Sequence, residues 1–146
     1  MRLRFSRTAD YALRAALEIA RVPDTELVTR RALADAINAP TSILAQVLAT
    51  LAREDILAAH AGPKGGYQLA RPADDISVYQ VVTAIDGEDH EERCVLRESI
   101  CSWTGACPFH PVMARAQERF LDTLRTTTLA DVLAGDTTAT TAHDGA

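Results

Sequence analysis

Residues 29–53 read TRRALADAINAPTSILAQVLATLAR, and the break in the middle of this stretch decides the fold. Thr29 is a residue type that caps helices, and Leu33, Ala34 and Ile37 recur at helical spacing, so a short helix is expected from Arg30 to Ile37. Asn38-Ala39-Pro40 ends it. Thr41 or Ser42 then opens a further helix through Arg53, with Ile43, Leu44, Val47, Leu48 and Leu51 facing inward. Two short helices joined by a tight turn, the second polar at its start, form the helix-turn-helix plan.

Upstream, residues 8–21 place Tyr11, Ala12, Ala15, Ala16, Ile19 and Ala20 on one apolar face that Leu13 and Leu17 widen. Thr8 is the expected N-cap, and Pro23-Asp24 breaks the pattern. Downstream, residues 56–70 set two apolar segments around Gly62-Pro63-Lys64-Gly65-Gly66, which reads as a β-hairpin. A hairpin directly after a helix-turn-helix is a wing. Pro72 closes the unit. A helix follows from Ile76 to Ile85, with Val78, Val81, Val82 and Ile85 inward, and Gly87 stops it. An acidic run, Glu88 to Glu92, leads into a cysteine-bearing loop. Pro111 opens a long helix to about Thr126, striped by Val112, Ala116, Phe120, Leu121 and Leu124. A short piece, Leu129 to Leu133, precedes a small, polar tail expected to be disordered.

The expected fold is therefore mainly α with a small β-hairpin: a winged helix-turn-helix DNA-binding domain plus a long dimerisation helix. The domains are 1–72 (reader head), 73–133 (cysteine loop and dimerisation helix) and 134–146 (tail). The long helix carries an apolar stripe with little chain left to cover it, which points to a homodimer paired across a two-fold axis.

A chain of 146 residues with 47% apolar and 24% charged residues is large enough to bury one core and has the balance of a globular protein. No apolar run approaches the ~20 residues of a membrane span, so no membrane partner is expected. The first residues lack the apolar core of an export signal, and the expected compartment is the cytoplasm. The net charge of −5 is unevenly distributed. Residues 1–72 hold ten Arg and Lys against seven Asp and Glu, a net +3; residues 73–146 hold five against thirteen, a net −8. A basic front and an acidic back suit a DNA-facing module joined to a module of another kind. The chain carries no Gly-x-Ser-x-Gly, phosphate-binding loop or His-Glu-x-x-His pattern, and it is not expected to be an enzyme.

The three cysteines, Cys94, Cys101 and Cys107, all lie within one short stretch. An odd number cannot pair fully as internal disulfides. Three thiolates with one further ligand would complete a zinc site or hold an iron–sulfur cluster, and a cluster-free thiol switch is the third reading. Zinc is the weakest, because its usual pairs of cysteines two to four apart are missing. His110, three residues after Cys107, or a carboxylate are candidates for the open position. On the DNA side, Thr41, Ser42 and Gln46 are expected near base edges, where hydroxyls and amides read donors and acceptors. Arg2, Arg31 and Arg53 are expected on phosphates, and Lys64 on a phosphate or in the minor groove.

With these residues in view, the chain resembles the winged-helix regulators that include the nitric-oxide sensor NsrR and the iron–sulfur-assembly regulator IscR. The likeness lies in Met1-Arg2-Leu3, Asp10 to Arg14, the helix Thr41 to Leu51, the wing Gly62 to Ala70 and the cysteine loop, and it spans about residues 1–133. It implies a dimeric regulator of double-stranded DNA, most simply a repressor, holding an iron–sulfur cluster on Cys94, Cys101 and Cys107. It implies a four-iron cluster in preference to a two-iron one, and a fourth ligand at Asp10 from the partner's first helix. Nitric oxide, redox state or iron–sulfur status is then the signal. The gap of six residues after Cys94 is one longer than the family's usual five. Ala45 stands before Gln46 where many relatives carry a carboxylate, so their operator preference does not transfer. Beside this reading stand two alternatives: a regulator switched by cluster-free thiols, and a winged-helix adaptor for another protein with structural zinc.

Overall fold

The computed structural model describes residues 5–88, 93–94, 99–100 and 107–135, with the backbone alone at 93–94 and 99–100. Arg2, Cys101 and the tail from residue 136 lie outside the described residues, as does the Cys94 side chain.

Helix α1 (Arg7–Arg21) is the spine of the molecule. Ala9, Ala12, Ala15 and Ala16 are fully buried on it. Small side chains let α4 (Val78–Asp86), α3 (Thr41–Arg53) and α6 (Leu129–Leu133) pack closely against it. Its N-cap is Ser6 rather than Thr8: the Ser6 hydroxyl accepts from the Ala9 N–H at 3.0 Å. The choice is made from afar. The Ser6 N–H donates to Asp86 Oδ2 at 3.0 Å, and its hydroxyl donates to Asp86 Oδ1. The last residue of α4 thus holds the cap of α1 in place.

Helix α2 (Arg30–Ile37) is capped by the Thr29 hydroxyl, which accepts from the Ala32 N–H at 3.1 Å. It ends at Asn38 in the left-handed conformation, φ 52°, a region in which Asn is favoured among non-glycine residues. After the three-residue turn, α3 starts at Thr41, and the two helix axes bend by 116°. That lies within the ~90–120° of helix-turn-helix pairs. Leu44, Val47, Leu48 and Leu51 of α3 are buried with Leu33 and Ala34 of α2 and Ile19 of α1 in one core. Each of the larger side chains contributes roughly 1.5–3 kcal/mol by leaving water. No single helix among the described residues is long and apolar enough to cross a membrane.

The wing is an antiparallel hairpin of β1 (Leu57–His60) and β2 (Gly66–Leu69), in register Leu57↔Leu69 to His60↔Gly66. Its tip is a turn in which the Gly65 N–H reaches the Gly62 carbonyl at 2.9 Å, with Pro63 and Lys64 at the centre. Pro at the first central position pre-sets that turn. Val28 supplies a third edge: it exchanges two backbone hydrogen bonds with Tyr67, 2.9 and 2.8 Å long. This close approach requires glycine next door, since a Cβ on Gly66 would lie 2.8 Å from the Val28 carbonyl oxygen. Gly66→Ala is therefore expected to lower stability by roughly 1–3 kcal/mol, because backbone rather than a flexible side chain must yield. The urea midpoint measures it, and an unchanged midpoint would show that Val28 gives way freely.

Beyond the wing, two capping boxes meet. Ser77 and Gln80 cap α4, while Thr128 and Asp131 cap α6. A bridge joins Ser77 to Thr128, with the Val78 N–H on the Thr127 carbonyl and the Leu129 N–H on the Ile76 carbonyl, both 2.9 Å. The Thr128 backbone N–H and hydroxyl hold the Asp131 carboxyl below its usual range. This junction buries Leu129 in the core beside Ile76 and Val81. It anchors the C-terminal end of α5 (His110–Thr126), the long helix, in which no residue is buried.

Candidate nucleic-acid interface and cysteine segment

The face of α3 opposite the core is exposed and polar. Thr41 and Ser42 occupy its first two positions, and no side chain caps it, since Pro40 is the N-cap. Ser42, Gln46, Ala49 and Arg53 follow at helical spacing along one exposed stripe. The Arg53 guanidinium donates to the Thr50 hydroxyl at 3.2 Å, one turn back along α3. Arg31 lies exposed in the first turn of α2, next to exposed Arg30. Lys64 is exposed at the tip of the wing. The hydroxyl and amide groups of α3, Arg31 on α2 and Lys64 on the wing are thus each exposed on the helix-turn-helix unit. Arg2 falls outside the described residues.

The cysteine segment begins directly after α4 and ends at α5. Sequence reading treats it as a loop, but β3 (Arg93–Cys94) and β4 (Ser99–Ile100) pair antiparallel, with Cys94 opposite Ser99. Two residue pairs are too few to leave a periodic signal. Cys107 is half-buried and its carbonyl accepts the His110 N–H at 3.1 Å. His110 itself is exposed at the first position of α5. Asp10 sits in the first turn of α1, where its Oδ1 accepts from Arg14 Nε at 3.0 Å. That pair is about half exposed on each side, so it contributes little to stability and can be exchanged at small cost. Among the described residues no three His, Cys, Asp or Glu side chains gather as a metal site; these residues do not include Cys101 or the Cys94 side chain. The donor set of the segment, three soft thiols within fourteen residues, is the kind that holds iron–sulfur clusters.

Several groups that matter here left no signal in sequence: the Ser6–Asp86 contact, the Val28 edge, and a ring contact of Phe5 with Phe120 at 6.1 Å between centroids. The last joins the N-terminal segment to α5. On the other side, Arg125 of α5 stacks over the Tyr79 ring of α4 at 4.8 Å.

Comparison with known proteins places this geometry. Residues 5–135 match the model of the Rrf2 family, described as iron-dependent transcriptional regulators. Rv1287 of Mycobacterium tuberculosis, described as an HTH-type transcriptional regulator, is 31% identical over 133 residues, covering 91% of this chain and 83% of that protein. The HTH-type transcriptional regulator IscR of Sodalis glossinidius is 29% identical over 140 residues, covering 92% and 81%. Among solved structures, CymR, the global cysteine regulator of B. subtilis, shares the fold with a TM-score of 0.77 at 19% identity, covering 91% of this chain and 98% of that one.

Proposed function

The chain belongs to the Rrf2 family of transcriptional regulators, and from that membership we propose that it is a homodimeric repressor whose grip on its operator is set by an iron–sulfur cluster on Cys94, Cys101 and Cys107. The observation that carries the reader half is the division of α3: Leu44, Val47, Leu48 and Leu51 are buried, while Thr41, Ser42, Gln46 and Arg53 are presented to solvent beside a basic wing. Thr41, Ser42 and Gln46 address base edges, and Arg2, Arg31, Arg53 and Lys64 address phosphates. In this reading residues 1–72 form the reader and residues 73–133 the sensing and pairing unit.

Three thiolates would hold the cluster, and either Asp10 of the partner subunit or His110 would complete its ligand set. When bound, it supplies an iron centre open to oxidation or to nitric oxide. Four irons are preferred to two. The chain's own residues carry the consequence to the reader. The cysteine segment leaves α4 immediately after Asp86, and Asp86 holds the Ser6 cap of α1. Asp10 lies one turn further along the same helix. A shift of the cysteine segment is thereby felt at the first turn of α1, on whose body α3 is packed.

The test is protein isolated without oxygen. Brown protein carrying iron and acid-labile sulfide, whose operator affinity changes when it is stripped, supports the reading; native mass spectrometry then counts iron, sulfide and subunits. Protein that stays free of iron after reconstitution, yet changes affinity with a thiol oxidant, would transfer the switch to the cysteines themselves. A separate expectation concerns the wing: Lys64→Ala should weaken binding and lower the slope of log K against log salt by about one unit. An unchanged slope would remove Lys64 from the phosphate contacts.

A further inference from the structure

One guanidinium ties the root of the wing together. Arg71 lies just past the end of β2, and its Nε donates to the Asp55 carbonyl while its Nη1 donates to the Asp75 carbonyl, each at 3.2 Å. Asp55 lies in the turn between α3 and β1 with φ of 54°, a left-handed conformation that a non-glycine residue adopts against steric resistance. Asp75 ends the 3-10 turn Ala73–Asp75 that leads towards α4. Besides Arg71, the root of the hairpin is held by the bond from the Ala70 N–H to the Ile56 carbonyl, 3.0 Å, and by the burial of Ile56 and Leu57 in the core, neither of which sets the wing against Asp75. Arg71 therefore joins three points: where the chain leaves the recognition helix, where it leaves the wing, and where it approaches the next helix. A planar fork suits this, because its N–H groups address two fixed carbonyls at once. Its surroundings are wrong for DNA. The cleft that Arg71 lines is shared with Glu54 and Glu88, whose charges oppose a phosphate.

We propose that Arg71 is a positioning residue for DNA binding: it fixes the pitch of the wing against α3, so that Lys64 and the polar stripe of α3 meet the same duplex. The proposal rests on the reading of Lys64 as a phosphate contact, and the test separates the two. The proteins are wild type, R71A, R71K, K64A and R71A/K64A, titrated over a salt series with a duplex selected in vitro by the wild-type protein. Amide exchange of each free protein is measured in parallel.

R71A is expected to lose roughly tenfold in affinity, and K64A to add little on that background, because the misplaced wing no longer delivers its lysine. Exchange should quicken at Gly65 and Tyr67, whose N–H groups are bonded to Gly62 and Val28, and stay slow at Leu48 in the core. R71K keeps the charge but not the fork, so it should fall between wild type and R71A; it carries the test if R71A proves globally unstable. Independent, additive losses from R71A and K64A, or R71K binding as wild type with unaltered exchange, would overturn the proposal. Should K64A alone leave affinity and slope unchanged, the lysine contact fails by itself. Wing exchange and R71A affinity then decide on Arg71, and unaltered exchange refutes it.

Discussion

Replacing Val112 and Ala116 together by Glu should halve the mass of the protein in solution, to the 15.8 kDa of one chain, and weaken operator binding by roughly 10²–10⁴-fold. The reason is α5. A helix of 17 residues is about 25 Å long, and most of the stability of a protein helix comes from packing its apolar face. None of its residues is buried against its own subunit, and Val112 is 51% exposed. Its attachment rests on contacts with α4, the Phe5–Phe120 rings and the Arg125–Tyr79 stack. In the proposed homodimer the exposed Val112 and Ala116 would face a second copy, and a two-fold axis would set each introduced carboxylate against the partner. The core around α1 and α3 lies elsewhere, so the monomer should keep its helical content by circular dichroism. In the proposed dimer two tethered heads would bind two half-sites as one event, so separating them should cost orders of magnitude rather than a factor of two. A doubly substituted protein that still sediments as a dimer would take α5 out of the interface. One that is monomeric but binds the operator at full strength would show that the heads act singly.

The helix-turn-helix was legible in sequence because three independent signals agree there. The apolar period runs through Leu33 to Leu51, Asn38 and Pro40 sit where the chain must turn, and polar residues open α3. The wing was legible for a similar reason, since Gly62-Pro63-Lys64-Gly65 leaves few backbone conformations other than a tight turn. What escaped were contacts that a local reading cannot contain. Ser6 and Thr8 are both good caps, and the decision between them comes from Asp86, eighty residues on. Val28 joins the wing through one residue pair, which has no periodicity to detect. Arg71 reads as an ordinary surface arginine until the left-handed carbonyl of Asp55 is seen beside it. The candidate site divides the same way. Residue types announced which groups could read DNA or hold iron, while the ties that couple those groups to one another are tertiary.

The second large effect is expected from the cysteines. Serine at any one of Cys94, Cys101 or Cys107 should bring iron and acid-labile sulfide close to zero and leave operator affinity at a single value, with or without the treatment that strips wild-type protein. Serine is nearly the same size as cysteine, so packing around half-buried Cys107 should survive; what changes is the donor. A thiolate is soft and forms at accessible pH, whereas a hydroxyl is hard and stays protonated, and a cluster held by two thiolates has lost a third of its sulfur anchorage. The loss should therefore be equal at all three positions. That equality separates the reading from its rival. In a cluster-free thiol switch only the cysteine that forms a sulfenate, or the two that form a disulfide, matter, at least one of the three is silent, and iron is absent throughout. Each tenfold difference in operator affinity between loaded and stripped protein corresponds to about 1.4 kcal/mol of coupling between the cysteine segment and the reader. In the proposed switch the Ser6–Asp86 contact would be one route for it, so Asp86→Asn should shrink that difference while leaving iron content intact. Retention of the full difference would mean that the coupling reaches α1 by another path.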